Sequence, residues 1–150
     1  DPKRISDLTK KLIFEEEADK YGYTTITFSF RNSNSYFTFL YTPRVKNFEK
    51  TEYKINSLEE LYVFLTEFKT LANKLDVRYM ESRVSAYNPL HQQLFEEFGF
   101  EPRGYIPAFK WDKELKKFED YILFNRHHSI FLPSFELITE GEVLLELLSF

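Results

Sequence analysis

ANKLDVRYMESRVSAYNPLHQQLFEEFGFEPRG, residues 72–104, is the stretch whose reading decides the fold. Its first residues close a helix. Residues 77–87 (VRYMESRVSAY) then read as a strand, with β-branched and aromatic side chains alternating with charged ones. Asn88-Pro89 opens a short helix. Asn is a good N-cap, and proline suits the first helical position because it has no N–H to leave unsatisfied. Leu90, Leu94 and Phe98 give that helix one apolar face, and Gly99 is the expected stop, since it tolerates the left-handed conformation that ends a helix.

Upstream, Ser57 with Glu60 fits a capping box, and Leu58, Leu61, Tyr62, Leu65, Phe68, Ala72 and Leu75 form an apolar stripe at helical spacing. Residues 23–31 (YTTITFSFR) and 36–42 (YFTFLYT) read as two strands of a hairpin around the turn Asn32–Ser35, and residues 48–55 (FEKTEYKI) as a third strand. Residues 3–20 read as a helix carrying Ile5, Leu8, Leu12, Ile13 and Phe14 on one side, ended by Tyr21-Gly22. Downstream, residues 104–111 and 118–126 form a hairpin around the charged stretch Asp112–Lys117. The order is helix, three antiparallel strands, helix, strand, helix, two strands. That order predicts an α+β layered fold, with helices packed on a mixed, mostly antiparallel sheet. Residues 129–150 differ in character, being apolar and broken at Pro133 and Gly141. They are expected to be an extension that packs on the 1–128 domain or on a partner.

The 150 residues suit one domain with one core, and 17 Phe and 10 Tyr supply large rings to fill it. A net charge of −4 disfavours a nucleic-acid or acidic-membrane partner. The densest basic cluster, Lys3, Arg4, Lys10 and Lys11, reads as a solvated helix face. With no cysteine, the chain has no disulfide, no thiolate zinc site and no cysteine nucleophile. Together with the lack of a secretory signal or a long apolar run, this makes a cytoplasmic setting the expectation. The chain begins Asp1-Pro2 and its single methionine is Met80, so it is expected to be processed or cut from a longer parent, with another domain as a partner.

Residues 72–104 resemble, without a gap, a central stretch of the GNAT N-acetyltransferase superfamily. In that family a strand is followed by Asn, a short helix, Gly-Phe and a second Gly, which here are Asn88, Gly99-Phe100 and Gly104. The resemblance extends over residues 23–126 and continues through Asp120-Tyr121-Ile122-Leu123. It implies two adjacent strands, residues 48–55 and 77–87, that splay into a slot for the amide-bearing arm of acetyl-CoA. It places Ser57, Val84, Asn88 and Phe95 along that cofactor.

The sequence departs from the family pattern at two points. The family carries Arg/Gln-x-x-Gly-x-Gly/Ala where this chain has Lys54-Ile55-Asn56-Ser57-Leu58-Glu59-Glu60-Leu61. No glycine lets a pyrophosphate reach the backbone, and Glu59 and Glu60 place negative charge in the first helical turn, where it opposes an anion. The family's thiolate-protonating tyrosine falls at Phe95, which has no proton to give. Glu52 is the carboxylate that the resemblance offers as general base, with Glu49 behind it.

His91 lies four residues before Phe95 and reads either as an acid or base lining the slot or as an ordinary helix residue. His127-His128, adjacent on a strand, point to opposite faces, and no metal site is expected. Three functions stay open. One is transfer of an acyl group from acyl-CoA to an amine. The second is a degenerate, non-catalytic module of a larger protein. The third, which the acidic balance disfavours, is a relative using a different donor such as aminoacyl-tRNA.

Overall fold

The computed structural model describes residues 1–113 and 117–127. The expected apolar extension, and His128, lie outside the described residues. A seven-stranded sheet runs in the order β1-β2-β3-β4-β5-β7-β6. Its strands are β1 (Leu12–Ala18), β2 (Thr24–Phe30), β3 (Tyr36–Thr42), β4 (Asn47–Lys54), β5 (Tyr79–Ser85), β6 (Glu101–Asp112) and β7 (Lys117–His127). Three helices, α1 (Pro2–Lys10), α2 (Leu58–Lys74) and α3 (Pro89–Glu97), pack on one face.

The expectation of one helix over 3–20 is corrected. The helix ends at Lys10, and Leu12–Ala18 is an edge strand pairing antiparallel with β2 from Leu12↔Phe30 to Ala18↔Thr24. Leu12, Ile13 and Phe14 have enough β propensity to follow the neighbouring strand, and the pairing overrides the helical preference of Glu15-Glu16-Glu17. Those three exposed carboxylates also repel any further strand at this open edge. The first antiparallel run is therefore four strands rather than three.

α1 is short and well capped. The Asp1 carboxylate accepts from Lys3 N at 3.0 Å, and Pro2 holds the first helical position. Ile5 and Leu8 pack against the core, so its basic residues stay outside. α2 meets its expected bounds within one residue, with Ser57 Oγ accepting from Glu60 N at 3.3 Å. Its buried face is rotated from the expected stripe. Leu58 and Tyr62 are exposed, and Val63 and Phe64 are buried with Leu61, Leu65, Phe68 and Ala72. Phe64 stacks on Phe30 at 4.5 Å, while Phe68 meets the rings of Phe37, Phe39 and Phe48 at 4.9, 4.7 and 5.2 Å. Ring-on-ring packing of this kind adds to area burial and holds the helix in one register over the sheet.

Gly99 follows α3 with φ of +89°, a conformation that strains any L side chain. A Cβ there would come within 3.0 Å of Arg126 Nε. This glycine therefore turns the chain into β6 and also lets the buried Arg126 side chain lie against it.

Candidate functional site

The feature that organises the site is a failure of pairing. β4 and β5 run parallel and pair only at Asn47↔Tyr79 and Phe48↔Met80. Beyond those residues β4 stays on β3, through Thr38↔Glu52, Phe37↔Tyr53 and Tyr36↔Lys54. β5 stays on β7, from Tyr79↔His127 to Ser85↔Tyr121. The two strands thus part after their first two residues, and each turns a backbone edge toward the gap. A bulge sits where they part: Lys50 and Thr51 together oppose Phe39, and Lys50 has φ of +53°. A bulge bends its strand and sharpens the local twist, which carries the end of β4 away from β5.

The bulge also sets which side chains line each face. Toward the helices β4 presents Thr51 and Tyr53, and β5 presents Ser82 and Val84. α3 lies over this side. Tyr53 Oη and His91 Nδ1 are 3.1 Å apart, and the Tyr53 ring lies 5.9 Å from that of Phe95. Burial holds the His91 imidazole below its usual proton affinity, so it is a neutral partner for the phenol. The Tyr53–His91 contact ties β4 to the α3 side of the gap. Thr51 Oγ1 and Ser82 Oγ, on the facing strands where the gap begins, are buried with no hydrogen-bond partner among the described residues.

On the opposite face β4 contributes Glu49 and Glu52, and β5 contributes Glu81 and Arg83. Arg83 Nη1 and Glu52 Oε1 form an ion pair across the gap at 3.6 Å. Desolvation, and then the neighbouring Glu49 carboxylate, push the proton affinity of Glu81 up, partly offset by Arg83. Glu52 is thus an exposed carboxylate paired with a guanidinium, and Glu81 is the acidic group here that holds its proton more tightly than usual.

The four residues expected along the cofactor take up separate structural roles. Val84 and Phe95 are fully buried, and Phe95 is enclosed by the rings of Tyr53, Phe100 and Phe124. Asn88 caps α3, its Oδ1 accepting from His91 N at 3.2 Å. Ser57 caps α2 and also lies 3.4 Å from Arg4 Nη2. The start of α2 is closed by its own side chains. The buried Glu60 turns one oxygen, Oε1, back to accept from Asn56 N at 2.6 Å and from Ser35 Oγ at 2.8 Å. Glu59 lies 3.9 Å from Arg4. A buried carboxylate thus holds the first turn of α2.

Several groups escaped the sequence reading. Tyr53 looked like one more aromatic strand residue, and its register against His91 depends on the bulge. Glu81 was unremarkable until Glu49 faced it. Tyr87 Oη donates to Asp120 Oδ2 at 2.8 Å and Tyr105 Oη donates to the same oxygen, a convergence of three separate segments. That bond raises the Tyr105 phenol to about 12. No group of three or more His, Asp or Glu that could hold a metal ion occurs among the described residues. No helix among them is long and apolar enough to cross a membrane.

No family model matches the sequence, and no curated protein matches it. Solved structures do match its fold. The spermidine/spermine N-acetyltransferase SpeG from Vibrio cholerae superposes with a TM-score of 0.55 at 12% identity, over 70% of this chain and 65% of that one. The sheet, its splayed pair and its helices make the fold plain. This chain has the GNAT N-acetyltransferase fold. A Salmonella typhimurium acetyltransferase that modifies the N-terminal serine of ribosomal protein L7/L12 matches with a TM-score of 0.51 at 12% identity, covering 71% and 64% of the two chains. The chain thus spans about 65% of the length of the first of these GNAT-fold enzymes.

Proposed function

We propose that this domain transfers an acyl group from an acyl-CoA donor to a primary amine. The observation that carries the reading is the parting of β4 and β5 after Phe48 and Met80, which leaves two backbone edges facing one slot. An extended amide chain can add to such edges as a further strand would. When bound, the donor supplies an electrophilic thioester carbonyl. The chain's own contributions are positional and electrostatic: β4 amides near the Lys50 bulge polarise a carbonyl oxygen, and a carboxylate takes the amine's proton. Glu52 and Glu81 compete for that last role. Glu81 has a raised proton affinity, which favours a base, and Glu52 stands closer to the open end of β4.

A second reading, a non-catalytic GNAT-like module of a larger protein, is favoured by one specific observation. The α2 N-terminus is occupied by the Glu60 carboxylate. The ties across the gap, Tyr53 to His91 and Arg83 to Glu52, suit a slot held together without a ligand.

Calorimetric titration with acetyl-CoA and with CoA separates the two. Micromolar binding, followed by amine acetylation lost in Glu81→Gln or Glu52→Gln, supports the enzyme and names its base. No binding at millimolar ligand leaves the non-catalytic reading.

A further inference from the structure

The ladder between β4 and β5 stops at a particular pair of residues. Asn47↔Tyr79 and Phe48↔Met80 are in register, so the next rung of this parallel pair would be Glu49↔Glu81. Two half-buried carboxylates would then stand opposite each other on the face away from the helices. Like charges facing each other on adjacent strands oppose pairing, and partial burial strengthens the repulsion because less water screens it. Glu81 registers this: desolvation first, and then the Glu49 carboxylate, raise its proton affinity.

The helix side of the same place carries a cost of the opposite kind. Lys50 is taken up by the bulge, so the next β4 residue on the helix side is Thr51, and the next on β5 is Ser82. Both hydroxyls are buried without a hydrogen-bond partner among the described residues. Unpartnered buried hydroxyls are costly, and one more rung of pairing draws these two toward each other. Closing the fork by a rung is thus favoured on the helix side of the sheet and opposed on the other.

We propose that Glu49 and Glu81 form a proton-operated wedge: with both ionised the fork stands open, and with one proton shared between them β4 and β5 pair at Glu49↔Glu81. This goes beyond the acyltransfer reading and does not rest on it, since the switch belongs to the ligand-free chain. Other described groups face the pair. Arg83 on β5 lowers the proton affinity of Glu81, but its guanidinium also pairs with Glu52 of β4 at 3.6 Å. The Tyr79 phenol is pushed up by burial and by Glu81, so it stays neutral. Asn47 donates to Glu49 Oε1 at 2.8 Å and carries no charge. On β3, Leu40 lies beside Glu49. On β7, Asn125 is neutral and His127 lies against the Tyr79 ring at 4.9 Å. On β6, Arg103 is held by Asn125 and Glu101. The imidazole is the group whose titration could be mistaken for that of the pair, so the test controls for it.

Amide hydrogen exchange of the ligand-free whole chain, followed by NMR and corrected for intrinsic rates, reads the extra rung directly. Between about pH 7.5 and about pH 5, protection over 49–51 and 81–83 is expected to rise about tenfold, with the β2–β3 ladder unchanged. Glu49→Gln removes one charge and keeps the shape. It is expected to show the acid-level protection already at about pH 7.5, with no further rise on acidification. His127→Gln is expected to respond to pH as the parent does. A parent whose protection stays flat over this range overturns the wedge, whatever the variants do. So does Glu49→Gln protection that follows the parent's at every pH, or a response that disappears in His127→Gln. Failure of the acyltransfer reading shows separately, as absent acetyl-CoA binding with the pH response intact.

Discussion

Glu60 is where stability and function pull in opposite directions, and Glu60→Ala and Glu60→Gln separate them. One oxygen of this buried carboxylate accepts two hydrogen bonds, from Asn56 N at 2.6 Å and from Ser35 Oγ at 2.8 Å. Ser35 is buried as well, so its hydroxyl has no ready replacement by water. Hydrogen bonds to a charged group contribute roughly 1.5–3 kcal/mol each, and the Asn56 end is open to solvent, so Glu60→Ala should cost about 3 kcal/mol. In a domain of this size that lowers the melting temperature by roughly 6–12 °C. Gln keeps one oxygen where both donors converge and loses only the charge and its interaction with the helix dipole, so Glu60→Gln should cost about 1 kcal/mol. The same substitution removes the charge that opposes a pyrophosphate, and CoA should bind on the order of fivefold more tightly. Thermal denaturation and calorimetric titration read the two effects on the same samples. A Glu60→Ala protein within about 0.5 kcal/mol of the parent would refute the view that this carboxylate holds the turn. Unchanged CoA affinity in Glu60→Gln would refute the view that it guards the turn.

The remaining predictions concern single groups around the slot. Thr51 Oγ1 is buried without a partner among the described residues, so the near-isosteric Thr51→Val should raise stability by about 1 kcal/mol in denaturant titration. A loss instead would mean that a bound water satisfies the hydroxyl. Burial lowers the proton affinity of His91 in the folded chain, so the unfolded chain takes up the proton first. His91 thus contributes stability that is fully present above the unfolded value of about 6.5 and is lost as pH falls through the lower folded value. The melting temperature of the parent should accordingly fall more steeply below pH 6.5 than that of His91→Gln, and parallel curves would count against it. Tyr105 should ionise near 12 in an ultraviolet or NMR titration, and Asp120→Asn should bring it back toward the ordinary tyrosine value. A Tyr105 that ionises normally in the parent would remove the bond to Asp120.

Residues 72–104 show how much of this protein is written locally. The caps of α2 and α3, the stop at Gly99 and the strand between the helices follow from side chains acting on their own backbone within a few residues, which needs no tertiary context. Ser57, Asn88 and Pro89 could be assigned from sequence for that reason, and the splayed pair was legible through the family pattern that surrounds them. Leu12–Ala18 shows the limit. Its helical and extended preferences are close, and only β2 lying beside it makes it a strand. The buried face of α2 shows it again, because Phe64 is inside only where Phe30 and Phe37 stand under it.

The site depended on tertiary structure more than the fold did. The sequence alone determined that no glycine loop precedes α2, that Phe95 has no proton to give, and that no cysteine chemistry is available. It could not show that Glu60 folds back onto Asn56 and Ser35, or that Tyr53 meets His91 across the gap. Nor could it bring Tyr87, Tyr105 and Asp120 to one point or set Glu49 against Glu81. Apart from the local Glu60–Asn56 bond, each of these is a contact between residues distant in sequence or on neighbouring strands. For the strand residues among them the geometry is fixed by register and by one bulge at Lys50, and a one-residue change in register would turn those side chains to the other face. Residue identity sets which chemistry is available to the chain, and register, which is a property of the whole sheet, decides which of those groups meet.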